Sequence, residues 1–149
     1  MNASLPGRFQ YVQKEYALIL DVAHNPHAAK RLVEQVKNRF PAKKISIVLA
    51  MLADKNYQEV VDCFRELKPV WYVASIKEER GLEGKILYNY LRETEESTVN
   101  CFSTITEAYT AADIAITAAN LNSQQYEDSD AVLLVTGSFF TVSAVLELI

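Results

Sequence analysis

The sequence predicts an α/β fold: a three-layer α/β/α, Rossmann-like domain on a mostly parallel sheet with one antiparallel edge strand. Three observations predict it. Short apolar segments alternate about five times with segments of helical periodicity, the pattern of a parallel sheet with helices on both faces. The apolar segments are nearly continuous, as in strands buried on both sides. All four prolines (Pro6, Pro26, Pro41, Pro69) and all four glycines (Gly7, Gly81, Gly84, Gly137) fall between these segments, where they punctuate the fold without interrupting it.

Each element follows from its own residues. Phe9 to Gln13 suits an edge strand, and Ala17 to Val22 a central one. From Pro26 the apolar residues Ala28, Ala29, Leu32, Val33, Val36 and Phe40 recur at helical spacing. Asn25 is a natural N-cap and Pro26 a natural first helical residue; Pro41 stops the helix. Ile45 to Ala50 is the next strand. Asn56 then caps a helix bearing Tyr57, Val60, Val61, Phe64 and Leu67. Val70 to Ala74 is a strand, followed by a polar loop and a helix with Ile86, Leu87, Tyr90 and Leu91. Thr98 to Phe102 is a weaker strand. Thr104 caps a helix carrying Ile105, Ala108, Ala111, Ala112, Ala115 and Ile116. Ala131 to Val135 is the most apolar strand, and a last helix runs from about Thr141 to the end.

The chain has 149 residues, which suits a single domain over 1–149. Half of them are hydrophobic and 23% are charged, as in ordinary globular proteins. A formal net charge of -4 with scattered Lys and Arg gives no electrostatic claim on nucleic acids or anionic membranes. No apolar run approaches the ~18 residues of a membrane helix. Met1-Asn-Ala-Ser has no basic-then-apolar signal. Cys63 and Cys101 form no CxxC pair and are expected to be small buried thiols in a reducing cytosol. A cytoplasmic location is therefore expected. The acidic stretches Glu93 to Glu96 and Glu127 to Asp130 are expected to be solvated connections.

Ligands of open α/β sheets bind beyond the carboxyl ends of the strands. That rule selects Asp21 to Asn25, Met51 to Lys55, Ser75 to Gly81 and Thr136 to Phe139. In the first, Asp21 can hold a ribose hydroxyl or a metal-bound water, and His24 can bind an anion or carry a proton. Alternatively both merely stabilise the strand-to-helix turn; spacing alone leaves the two readings open. His24 and His27 form an HxxH pair, but no further His or Cys remains to complete a metal site, so no metal ligand is assigned. At Thr136-Gly137-Ser138, Gly137 permits close backbone approach and Ser138 lies near a helix N-terminus that favours anions. A plain glycine turn with a serine cap is the other reading. The sequence holds neither a Gly-x-x-x-x-Gly-Lys-[Ser/Thr] phosphate loop nor a Gly-x-Gly-x-x-Gly fingerprint, and no Ser/His/Asp hydrolase elbow.

Leu5-Pro-Gly-Arg8-Phe followed by Asp21-Val-Ala-His-Asn-Pro-His-Ala28 resembles the start of the C-terminal domain of the folylpolyglutamate synthases, within the Mur-type ligases. The likeness continues through Met51-Leu-Ala-Asp-Lys55, Trp71-Tyr72, Glu79 to Gly81, and Gly137-Ser-Phe-Phe-Thr-Val142. Its details are similar to the bacterial bifunctional form, which also has dihydrofolate synthase activity. The resemblance implies an ATP-dependent amide ligase, using ATP and Mg²⁺, that joins L-glutamate to dihydropteroate or folates through an acyl phosphate. It implies a partner N-terminal ATPase domain that carries the phosphate loop and is absent from this chain, so the isolated domain is expected to be an inactive monomer. By the same resemblance Arg8 reaches ATP phosphates and Asp21 contacts the nucleotide or its adjoining loop. His24 and Ser138 line the glutamate side, and Asn25 and Lys55 are further candidates. Two alternatives stand beside it: the matching domain of a cell-wall Mur ligase, and a flavodoxin-like phospho-receiver. The receiver needs an acidic cluster at the strand ends, where Asp21 stands alone.

Overall fold

Parallel strands need long crossovers, and the amphipathic segments between the apolar runs supply them. A computed structural model describes residues 8–94, 98–121 and 130–149. Leu5 to Gly7, half of the stretch Glu93 to Glu96 and most of the stretch Glu127 to Asp130 lie outside the described residues. The described chain forms β1 (Gln10–Gln13), β2 (Ala17–Asp21), α1 (Pro26–Arg39), β3 (Lys44–Leu49), α2 (Tyr57–Phe64), β4 (Val70–Ala74), α3 (Gly84–Thr94), β5 (Val99–Phe102), α4 (Ile105–Leu121), β6 (Ala131–Thr136) and α5 (Phe139–Leu146). The sheet order is β1-β2-β6-β3-β4-β5. Among the described strand pairs only β1–β2 is antiparallel, with Gln10 opposite Leu20 and Gln13 opposite Ala17. This is the predicted architecture, edge strand included.

Alternation along each strand divides the core in two. Ile19, Ile47, Leu49, Val73, Val132 and Leu134 face one side and pack under α1, α2 and α3. Leu18, Leu20, Val48, Tyr72, Leu133 and Val135 face the other and pack under α4 and α5. The central strand β6 shows why its sequence is so apolar: Val132, Leu133, Leu134 and Val135 are each at most 1% exposed. Burying such a side chain contributes about 1.5–3 kcal/mol before entropy is counted. Trp71 is also fully buried, and its Nε1 has no hydrogen-bond partner among the described residues.

The β1–β2 hairpin is held to α4 by polar contacts at the end remote from Asp21. Lys14 Nζ donates to Tyr109 Oη (3.0 Å), and the buried Tyr16 hydroxyl donates to Asp113 Oδ1 (2.5 Å). Burial, then these partners, pushes the Tyr16 phenol up. At the other end of β1, Arg39 of α1 lies over the rings of Phe9, Tyr11 and Phe40 at 5.6, 5.0 and 6.0 Å. The edge strand is thus anchored at both ends, which fixes where the chain before it enters.

The helix caps follow the sequence. Asn25 Oδ1 accepts from Ala28 N (2.8 Å) and Asn56 Oδ1 from Glu59 N (3.2 Å). Thr104 and Glu107 cap reciprocally, with Thr104 Oγ1 accepting from Glu107 N and Glu107 Oε1 from Thr104 N, both at 3.1 Å. Three expectations need correction. The helix expected to reach Leu67 ends at Phe64 and continues as a 3₁₀ turn over Arg65–Leu67, because Pro69 bars the α conformation to Lys68. The last helix begins at Phe139, two residues early, because Ser138 caps it. The cysteines are not buried: Cys63 is half-buried and Cys101, on the outermost strand β5, is exposed. Among the described residues no helix is long and apolar enough to cross a membrane.

Candidate functional site

The carboxyl ends of β2, β6 and β3 lie side by side, with Asp21 paired to Thr136 and Thr136 to Leu49. Beyond β2 opens a cleft of about 450 Å³ between the segment that enters β1 and the first turns of α1. Arg8, Asp21, His24 and Asn25, all expected from the sequence, line it together.

Asp21 is the hub. Its Oδ2 accepts from Phe9 N and its Oδ1 from Ala23 N, each at 2.9 Å. One carboxylate therefore ties the entry to β1, where Phe9 holds a left-handed φ of 40°, to the turn after β2. Burial raises its pKa; the two backbone donors and the charges of Arg8 and Arg31 oppose that rise. Of the two readings left open by spacing, turn stabilisation is visible in the bonds, and placement of Arg8 next to Phe9 follows from the same bonds.

His24 is half-buried, and its Nδ1 lies 3.0 Å from Val22 O. A carbonyl oxygen only accepts, so Nδ1 carries a proton and donates. Nε2 has no partner among the described residues and remains for a ligand. His27 is exposed and does not line the cleft. Asn25 lines it, but its side chain is occupied in capping α1.

Ser138 and Lys55 are placed differently. Ser138 is 2% exposed and does not line the cleft. Its Oγ accepts from Thr141 N (3.0 Å) and lies 2.7 Å from Thr141 Oγ1, which donates to Ala50 O (2.7 Å). Because Thr141 spends its proton on a carbonyl, Ser138 must donate to Thr141. The serine hydroxyl thus donates its proton to Thr141 Oγ1 and accepts from Thr141 N, and it fixes the start of α5 against the end of β3. Gly137 makes that junction possible: its φ is 114°, and a Cβ there would stand 2.4 Å from Ala50 O. Lys55 is half-buried in the loop after β3 and also lies off the cleft. That loop is fastened to the one after β4 by Ala53 N to Arg80 O (2.7 Å) and Leu82 N to Met51 O (2.9 Å). Gly81 is required there, since a Cβ would meet Ile76 O at 1.8 Å.

Sequence reasoning missed Arg31 and Gln35, which also line the cleft. The signal existed: Ala28, Arg31 and Gln35 follow His24 at three- and four-residue steps, one face of a helix. Both lie outside the strand-end motif.

A family model for the "Mur ligase, glutamate ligase domain" matches residues 7–139. The dihydrofolate synthase/folylpolyglutamate synthase of Escherichia coli (strain K12) is 32% identical over 148 residues, 99% of this chain and 31% of that protein. The protein of the same name from Buchnera aphidicola subsp. Schizaphis graminum is 34% identical over 143 residues, covering 95% of this chain and 31% of the relative. A crystal structure of a bifunctional folylpolyglutamate synthase/dihydrofolate synthase with Mn, AMPPNP and L-glutamate bound superimposes with a TM-score of 0.81 at 35% identity, over 98% of this chain and 32% of that one. The chain thus spans about a third of the length of these relatives. The fold extends to Mycobacterium tuberculosis folylpolyglutamate synthase, with a TM-score of 0.85 at 22% identity over 97% of this chain and 32% of that one.

Proposed function

The chain belongs to the Mur ligase, glutamate ligase domain family, and on that premise we propose that it is the C-terminal portion of an ATP-dependent, ADP-forming amide ligase. The enzyme joins L-glutamate to dihydropteroate or a folate, as a folylpolyglutamate synthase/dihydrofolate synthase. It works in the cytoplasm as a monomer, on small molecules and not on nucleic acid. The observation that carries the reading is the convergence of Arg8, Asp21 and His24 in one cleft at the strand ends. Neither a receiver module nor a cell-wall ligase is favoured by relatives that carry the synthase name.

The residues divide the work by chemistry. Arg8 offers a planar fork suited to phosphate oxygens. Asp21 holds Arg8 in place through Phe9 N. His24, steadied by Val22 O, presents Nε2 toward the glutamate. Asn25 sets the first turn of α1 behind it. Ser138 acts on the glutamate side through the loop backbone it fixes, and Lys55 is a weaker contributor from the loop after β3. ATP brings the phosphoryl group that activates the carboxylate. Among the described residues the only carboxylate lining the cleft already accepts two backbone N–H groups beside two guanidiniums, a setting that suits an anion better than a divalent cation. The residues that hold Mg²⁺ are therefore assigned to an N-terminal ATPase domain. Phe139 and Phe140, 69% and 40% exposed at the same end of the sheet, give that domain apolar surface to close upon, and closure would shield an acyl phosphate from water.

Two measurements test this. The 149-residue chain alone, supplied with ATP, Mg²⁺, dihydropteroate and L-glutamate, should show no folate-dependent ADP release; turnover would overturn the division of labour. In the chain joined to its ATPase domain, Arg8→Ala should lower kcat/KM by roughly 30-fold, the ~2 kcal/mol of a charge-assisted hydrogen bond. Its melting temperature should hold, because Arg8 is exposed. Normal kinetics, or activity lost only in step with stability, would count against the role.

A further inference from the structure

Two guanidiniums line the cleft, Arg8 from the segment entering β1 and Arg31 from α1. Both residues are exposed, and neither forms an ion pair with a described residue. Against them stands, among the described residues, one lining carboxylate, Asp21, whose oxygens accept from backbone. The cleft is therefore locally positive in a chain whose formal net charge is -4. Paired positive charge at the mouth of a concave site, facing a single carboxylate that already accepts two backbone donors, is poorly explained by folding, since exposed charges add little to stability. Ala28 lies one turn before Arg31 on the same face, and its small side chain leaves room between Arg31 and His24.

We infer that Arg31 is a second anion-binding side chain of this cleft, and that the cleft takes a ligand carrying at least two negative charges, held by Arg8 at one point and Arg31 at another. The inference rests on the proposed reading of the cleft as an anion site and adds a residue and a charge requirement to it. A phosphate chain and an oligocarboxylate share that chemistry, so the test uses one of each.

The chain is titrated by calorimetry with inorganic triphosphate and, separately, with the peptide Glu-Glu-Glu, at low and moderate salt. Triphosphate should bind the wild type. Arg31→Gln should weaken it about tenfold and flatten its salt dependence, and Arg8→Gln should do the same. Arg31→Lys should fall between, keeping the charge and losing the fork. Thermal melts of all three variants should match the wild type, because both side chains are exposed. Binding of Glu-Glu-Glu with the same dependence on Arg31 would support the inference and assign carboxylates as the ligand. If Arg31→Gln binds like wild type while Arg8→Gln does not, the inference is overturned and the proposed function stands. If the wild type binds neither probe, or neither arginine matters, the anion reading of the cleft fails as well.

Discussion

Replacing Gly137 by alanine should cost roughly 2–5 kcal/mol of stability, the sum of a strained left-hand backbone and an overpacked contact. Gly137 has a φ of 114°, which side-chain-bearing residues rarely adopt, and the added Cβ would stand 2.4 Å from the backbone oxygen of Ala50. That oxygen cannot rotate away as a side chain could, for it already accepts the Thr141 hydroxyl at 2.7 Å. Relief requires β6 and β3 to part at their carboxyl ends, where Thr136 is paired to both Asp21 and Leu49. The strain therefore runs into the strand end that carries Asp21. A chemical-denaturation midpoint should fall without a change in slope, and ligase activity of the joined enzyme should fall even below the unfolding range. A variant as stable as wild type would mean that the junction between α5 and β3 is loose, and that Ser138 and Gly137 do not fix it. Ser138→Ala serves as the milder control. It removes a cap worth about 1 kcal/mol and leaves the backbone unstrained.

Much of this arrangement is legible in the sequence, and the remainder is not, for identifiable reasons. The strand-helix alternation is visible because buried parallel strands must be apolar throughout, as Val132 to Val135 are. The caps are visible because Asn25, Asn56 and Thr104 are short polar side chains immediately before amphipathic runs. The cleft is visible at Asp21 and His24 because strand ends collect ligands. What periodicity does not carry is the partner of each polar group. Nothing local indicates that Asp21 reaches back to Phe9, or that Thr141 spends its hydroxyl on Ala50 O. Both bonds depend on which strands become neighbours. Arg31 escaped notice because a lone arginine on a solvent-facing helix stripe is ordinary; it matters only because the segment entering β1 folds across from it. The exposure of Cys101 likewise follows from β5 standing at the edge of the sheet, which its own residues do not reveal.

Asp21→Ala and His24→Ala should separate into two kinds of loss. In the alanine variant of Asp21, Phe9 N and Ala23 N each lose an acceptor at 2.9 Å. Unmade bonds to part-buried donors cost about 1–3 kcal/mol apiece, and removal of a carboxylate whose burial is itself unfavourable offsets part of this. A net loss of roughly 2–3 kcal/mol is expected. Activity should fall further than stability explains. The segment carrying Arg8 loses its tether, and the KM for ATP should rise more than that for glutamate. His24→Ala gives up one bond to a backbone carbonyl that water can replace, so its melting temperature should stay within the equivalent of about 1 kcal/mol. Its turnover should drop on the order of a hundredfold, with the KM for glutamate rising first. Acidity provides an independent check on Asp21. Burial holds its carboxyl above the ordinary 3.8, against the backbone donors Phe9 and Ala23 and the charges of Arg8 and Arg31. A raised folded-state pKa means that the group favours the fold fully below the unfolded value and loses that contribution as pH rises through the folded one. The stability of wild type relative to Asp21→Asn should therefore decline from about pH 3.8 upward and level off once the folded-state carboxyl is ionised. Steady-state kinetics for both substrates, thermal melts of both variants and the pH series on Asp21→Asn decide the matter together. Normal kinetics with lowered stability in both alanine variants would reduce this loop to a turn, and a stability difference that grew with pH would show that the carboxylate is stabilised by its neighbours more than it is penalised by burial.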